Sequence, residues 1–148
     1  MISLYVNGDL LDAFENNNFD AIVHGCNCFH LMGAGIAGMI SKRFPEAYKA
    51  DVKLTDKGDW NKLGTYTKAE YLHGDIINAY TQYNPGKCRE LDLLQSISKV
   101  FKQLDKDYSG KTIGIPKIGA GIAGGNWNII SELINQVTPN LKIVVYYI

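Results

Sequence analysis

Along most of this chain, apolar residues recur either at every second position or at intervals of three and four. The two periods divide it into alternating strands and helices. Ile2–Val6 alternates among β-formers and stops at the turn cluster Asn7-Gly8-Asp9. Asp9 is placed to cap a short helical stretch over Leu10–Phe14, and Asn16-Asn17-Asn18 reads as a loop. Ala21–Cys26 is apolar enough for a strand covered on both faces. Ile36, Met39, Ile40 and Phe44 carry helical spacing, and Pro45 opens a second helix over Glu46–Leu54. Lys57–Lys62 is polar and turn-rich. Leu63–Tyr71 and Asp75–Gln82 are β-rich runs around His73-Gly74, a hairpin or adjacent strands, with Asp75 read as a turn residue. Beyond the break Asn84-Pro85-Gly86, Glu90–Leu104 has Leu91, Leu94, Ile97, Val100, Phe101 and Leu104 on one face, the clearest amphipathic helix. Thr112–Ile115 is a strand ended by Pro116. A helix near Trp127–Val137 and a strand over Leu141–Ile148 complete the chain. The order β-α-β-α-α-β-β-α-β-α-β predicts a single three-layer α/β domain over residues 1–148, with a mixed sheet of about six strands.

One repeat interrupts this pattern. Gly-Ala-Gly-Ile-Ala-Gly occurs at Gly33–Gly38 and again at Gly119–Gly124, each copy after an apolar run and before a segment with helical spacing. Glycine supplies φ freedom and a missing Cβ, which backbone needs when it passes very close to a ligand. A following helix adds free N–H groups and a positive dipole end, so the natural guest is an anion. Two such loops suggest a ligand with two phosphates, or a pyrophosphate with a sugar on each side. The alternative is that the glycines serve helix-on-sheet packing. Both copies formally match the dinucleotide pattern G-x-G-x-x-G. Redox dinucleotide binding is disfavoured, because Asn27–Met32 intervenes between strand and glycines and no acid ends the next strand. Asp51 and Asp56 lie in helical or loop sequence, and Leu141–Ile148 has no acid.

Composition narrows the classes. The 148 residues are 46% hydrophobic and 20% charged, with 15 basic and 15 acidic side chains. A net charge of zero removes the general attraction on which nucleic-acid binders depend, so no direct nucleic-acid binding is expected. No run reaches bilayer length and Met1-Ile-Ser-Leu-Tyr-Val is no signal peptide, so no membrane partner is expected. Three cysteines make no disulfide framework and fit a reduced, cytoplasmic compartment. The expected state is a monomer.

His24, Cys26, Cys28 and His30 fall at every second position. Side chains spaced this way on a strand stand too far apart to share one tetrahedral zinc, and the spacing is not C-x₂-C. Buried cysteines acting as small hydrophobes and a satisfied core histidine are the plainer reading, and neither metal nor cofactor is expected. Cys88 and Trp127 read as packing residues.

Four segments together carry a resemblance to a known family: Gly8-Asp9-Leu10, Val23-His24-Gly25-Cys26-Asn27-Cys28, Met32-Gly33-Ala34-Gly35-Ile36-Ala37 and Pro116–Trp127. In this order the chain resembles the macro domain over its whole length. The Cys-Asn-Cys sequence and the tract Arg43–Ala47 are most similar to its ADP-ribose-1″-phosphate phosphatase subgroup of yeast and phages. The resemblance implies an ADP-ribose site. Asp9 would accept from the adenine amino group, with Gly8 and Leu10 beside it and Tyr146 at the adenosine edge. Gly33, Ala34, Gly35, Ile36 and Ala37 would lie against the diphosphate and distal ribose, where Asn27 also belongs. Ile118, Gly119, Ala120, Gly121, Ile122, Ala123 and Gly124 would cradle the phosphates by backbone N–H groups. Cys26, Met32, Gln82 and Pro116 complete the expected lining.

The implied reaction is removal of the 1″-phosphate from ADP-ribose 1″-phosphate, with Asn27 and His30 as the candidate catalytic pair. His30 stands just before the glycines, and a near-neutral imidazole can protonate a leaving oxygen or orient water. Equally, it reads as an exposed loop histidine. Relatives that strip ADP-ribose from acidic side chains often carry an Asp where this chain has Ala37. Another hydrolase class uses a lysine and an aspartate where this chain has Gln82 and Ala123, and glutamine cannot replace a lysine nucleophile. A non-catalytic reader of ADP-ribose and an ADP-ribosyl hydrolase acting on modified protein or nucleic acid are the alternatives.

Overall fold

The computed structural model describes residues 1–148. Its six strands are β1 (Ile2–Asn7), β2 (Ala21–Cys26), β3 (Tyr66–Tyr71), β4 (Gly74–Tyr80), β5 (Thr112–Ile115) and β6 (Lys142–Tyr147), forming one sheet in the order β1-β6-β5-β2-β4-β3. All neighbours are parallel except β3 and β4, which pair antiparallel as a hairpin. The helices are α1 (Leu10–Glu15), α2 (Gly35–Arg43), α3 (Pro45–Leu54), α4 (Glu90–Asp107) and α5 (Trp127–Val137), with a short 3₁₀ turn at Trp60–Lys62 inside the stretch read as turn-rich.

The pleat sorts the core into two layers. Val23, Ile77, Ile115 and Val145 face α4 and α5, where Leu93, Ile97, Phe101, Ile130 and Ile134 cover them. Their chain neighbours Ile22, Ile76 and Val144 face the opposite way, against Leu10, Phe14, Ile40 and Phe44 of the α1–α3 side. Burial on both faces is why β2 reads as a nearly continuous apolar run.

Two expectations shift. Leu91 lies outside the core, 59% exposed, and Leu93 takes the buried position instead, because α4 turns the face carrying Leu93, Ile97, Val100 and Leu104 to the sheet. Asp75 is a strand residue of β4, pinned by the Tyr108 hydroxyl at 2.6 Å, rather than part of the turn. The parallel strands all end on one edge of the sheet, where loops 8–9, 27–34, 81–89 and 116–126 gather. Such an edge is where open α/β sheets hold ligands.

Candidate functional site

Both glycine hexapeptides open onto one cleft of about 460 Å³ at that edge. From the first copy come Gly33, Ala34, Gly35, Ile36 and Ala37, and from the second Gly119, Gly121, Ile122 and Ala123. The copies meet across it: a Cβ placed on Gly35 would stand 3.7 Å from Ile122 Cδ1. Cys26, Asn27, Gln82, Pro116 and Ile118 complete the expected lining here. Ile36, Pro116 and Lys117 also border an adjoining cavity of about 280 Å³ with Gly8, Asp9, Leu10 and Tyr146, the residues expected at the adenosine end.

The first copy works as a helix start. Ala34 is the N-cap residue of α2 and offers no side-chain acceptor, so the first N–H groups of the helix stay uncapped. The N–H groups of Gly33–Ala37 have no main-chain acceptor, and the helix N-terminus presents them to the cleft. The second copy is not a helix start, which corrects the expectation that each loop opens a helix. Gly119 and Gly124 take φ of +78° and +79°, and bonds from Ala120 to Lys117, Gly124 to Gly121 and Gly125 to Gly119 wind the segment into consecutive turns. α5 begins later, at Trp127, where the side chain of Asn126 accepts from Asn128 N and caps it. The turns leave the N–H groups of Gly119, Gly121, Ile122 and Ala123 without main-chain acceptors on the cleft side. Backbone donors left unpaired in this way need water or a ligand to satisfy them.

The remaining site residues divide clearly. Asp9 spends one carboxylate oxygen, Oδ1, on the N–H groups of Leu11 and Asp12 at 2.8 and 3.1 Å, capping α1. Asn27 lines the cleft but turns its amide on its own loop, accepting from Phe29 N and donating to Leu31 O, both at 2.9 Å. Gln82 donates to the carbonyls of Asn84 and Gly86, which rigidifies the 82–86 turn. Met32, Ala120 and Gly124 do not line the cleft. Met32 is buried beneath the first loop, and Gly124 faces the aliphatic stem of Lys87.

His30 is not brought to the cleft. Its ring turns beneath the loop, with Nε2 3.0 Å from Thr55 Oγ1 and 3.9 Å from Asp51 Oδ1. The expected catalytic role therefore lacks the geometry that proton transfer to a bound ligand requires. His24, Cys26 and Cys28 are core groups. His24 is buried and bonded through Nε2 to Asn78 Oδ1 at 2.7 Å, and burial lowers its pKa to about 4. Burial also pushes the Cys26 thiol well above its ordinary range and Cys28 up to about 11, so neither supplies a thiolate near neutrality.

Lys117 is easily missed in the sequence, although it stands inside the Pro116-Lys117-Ile118 segment that the resemblance rests on. It is the only cation among the lining residues of either cavity and borders both. Its ammonium rests 5.2 Å above the Tyr147 ring. Asp9 is the only acid, at the far end from Asn27.

A parallel-sheet edge with two glycine loops facing over one cleft of about 460 Å³ defines a class of domain, and comparison with known proteins gives the same answer. The macro domain family model matches residues 23–134, and the chain belongs to the macro domain family. It is 40% identical to a 17.5 kDa protein from the tk-vs intergenic region of Enterobacteria phage T4, covering 98% of this chain and 96% of that one. It is 28% identical to an ADP-ribose 1″-phosphate phosphatase of Debaryomyces hansenii, over 97% and 98% of the two chains. A DNA ADP-ribosyl glycohydrolase of Mycobacterium tuberculosis is 29% identical, but this chain spans only 41% of its length. Among solved structures, the macrodomain of Thermus aquaticus DarG superposes with a TM-score of 0.78 at 22% identity, over 100% and 99% of the chains, and so shares the fold.

Proposed function

We propose that this macro domain binds ADP-ribose with its diphosphate between the two glycine loops, and hydrolyses the 1″-phosphate of ADP-ribose 1″-phosphate. The observation that carries the reading is the set of unpaired N–H groups on Gly33–Ala37 and on Gly119, Gly121, Ile122 and Ala123, facing one cleft. Donors fixed in place before a ligand arrives stabilise negative charge on the oxygens where it builds up in the transition state, without reorganising. The α2 dipole adds to this from the first loop. Lys117 is the one full charge within reach of both cavities. Asn27 contributes by holding the loop wall rather than by handling protons, since an amide neither gives up nor takes a proton near neutrality and one bond at each end fixes it to the loop. The phosphatase named for Debaryomyces hansenii, aligned over nearly the full length of both chains, supports the choice of reaction.

One observation favours a second reading. No carboxylate or imidazole lines the larger cleft, so the domain would be a reader that binds ADP-ribose without turning it over. Removal of ADP-ribose from a macromolecule has less support. Gln82 and Ala123 both line the cleft, and neither provides the amine or carboxylate of the lysine-dependent route. Phosphate release from ADP-ribose 1″-phosphate, followed beside calorimetric binding of ADP-ribose, separates the readings. Release under turnover conditions supports the phosphatase, and tight binding with no release supports the reader. Release of ADP-ribose from a modified oligonucleotide would overturn both.

A further inference from the structure

Beneath the Asn27–Met32 loop lies a buried polar cluster that the proposed reaction does not use. Asp51 of α3 is 1% exposed, and its Oδ1 accepts from the Tyr80 hydroxyl at 2.6 Å and lies 3.5 Å from Lys62 Nζ. Lys62 is itself buried. Thr55 joins these groups to the loop. Its hydroxyl donates to the Asp51 carbonyl at 2.6 Å, and Oγ1 accepts from Lys62 Nζ at 2.8 Å. With its one proton committed, Oγ1 can only accept from His30, so His30 Nε2 carries hydrogen and donates across the 3.0 Å contact.

We infer that His30 is a positioning residue: it ties the loop forming the distal wall of the cleft to the Asp51–Lys62–Thr55 cluster, and so sets how the distal ribose of the ligand is held. The inference rests on the ADP-ribose reading of the cleft. Three observations converge on it. His30 is a non-glycine residue with φ of +58°, a conformation that costs of the order of 1 kcal/mol and persists only where surroundings impose it. The residues around it, Asn27 and Leu31, line the cleft, and the Asn27 amide clips Phe29 N and Leu31 O to itself. The loop is fixed from within by Asn27, at Cys28 by main-chain bonds with Tyr83 and Gly58, and at Met32 by the Ser41 hydroxyl. From below it is fixed by His30, the one side-chain tie between its 29–31 turn and the polar cluster. Finally, the cluster is poorly built for stability alone. Asp51 Oδ2 is buried with no hydrogen-bond partner, and a buried ion pair offsets little more than its own desolvation. A cluster of this kind serves better to hold one element in register with another. Here it joins α3, the Trp60–Lys62 turn and β4 to the loop.

ADP and ADP-ribose differ by the distal ribose, so their affinities measured by calorimetry isolate the wall that His30 holds. In His30→Ala, ADP-ribose binding weakens roughly tenfold, the effect of one lost hydrogen-bonded anchor, while ADP stays within about twofold of native. Thr55→Val keeps the side-chain shape but removes the acceptor and gives the same split, whereas Thr55→Ser keeps the hydroxyl and the native ratio. Thermal melts confirm that each variant is folded at the assay temperature. Unchanged ADP-ribose affinity in His30→Ala, or an equal loss for both ligands, overturns the inference while leaving the reading of the cleft standing. A native chain that binds neither ligand overturns that reading, and the positioning role with it.

Discussion

The same six residues fold in two ways in this molecule. In Gly33–Gly38 the third residue, Gly35, is the one with positive φ, at +56°, and the segment becomes the first turn of α2. In Gly119–Gly124 the first and sixth residues take positive φ, and the segment closes on itself as turns. The difference lies in the residues just after each copy. Met39 and Ile40 continue the first as helix. Gly125 succeeds the second, with no room for a Cβ, which would fall 2.6 Å from Gly119 O and 2.7 Å from Ile130 Cδ1 and Leu93 Cδ2. Asn126 then delays the helix by capping it at Trp127. The first copy thus begins in open space at Gly33 while the second begins wedged between α4 and α5 at Gly119, yet both end with unpaired N–H groups facing the same space. Tertiary packing decides how a glycine-rich sequence is used, and the cleft needs only the donors.

Substitutions of single glycines should separate the copies sharply. Gly125→Ala forces a methyl into backbone and packed side chains, and overpacking of this kind costs about 3 kcal/mol, a fall of roughly 10 °C in melting temperature. A melt within about 2 °C of native would show that the second loop relaxes freely.

The strands leading to the two copies differ as well, because β2 carries the buried His24 and β5 (Thr112–Ile115) carries no titratable residue. The folded pKa of His24 is about 4, below the ordinary value of 6.5, so the unfolded chain binds more protons between these limits. Its contribution is therefore complete above pH 6.5 and is lost as pH falls towards 4, by up to about 3 kcal/mol. Denaturant titrations across that window should show this loss, and His24→Gln should flatten it. An identical pH profile in the variant would assign the effect elsewhere.

Gly33→Ala is the counterpart at the open start of the first copy. A Cβ there meets nothing within 4 Å in the free protein, so stability should hold within about 0.5 kcal/mol. The methyl enters the cleft where the proposed diphosphate would lie, and ADP-ribose affinity should fall about tenfold. A change in melting temperature with native affinity would reverse the assignment. The smallest effect belongs to Lys117→Gln. Its expected loss is about threefold in affinity at low salt, closing as salt screens the charge. A loss that persists at high salt would point to a shape contact instead.

The sequence made the strands and helices legible because their apolar periods are clean: Ile22, Val23, Ile76 and Ile77 announce a sheet covered on both sides. Through the repeat and the resemblance together it also singled out the two glycine loops, which the fold brings to one cleft. Three features were not legible. Two identical hexapeptides cannot reveal which becomes a helix start, although Asn126 ahead of the apolar run Trp127–Ile130 was a usable cap signal. The direction in which His30 points depends on Thr55 and Asp51, which lie 25 and 21 positions away and meet it only in the fold. Lys117 looks like any surface lysine until the lining of the cleft shows no other cation.

The most direct test tracks backbone amide ¹H–¹⁵N shifts during titration with ADP-ribose. Saturable shifts concentrated at Gly33–Ala37 and at Gly119, Gly121, Ile122 and Ala123 are expected, both sets moving along one binding curve. Shifts confined to one copy, or absent from both, would contradict a diphosphate held between them.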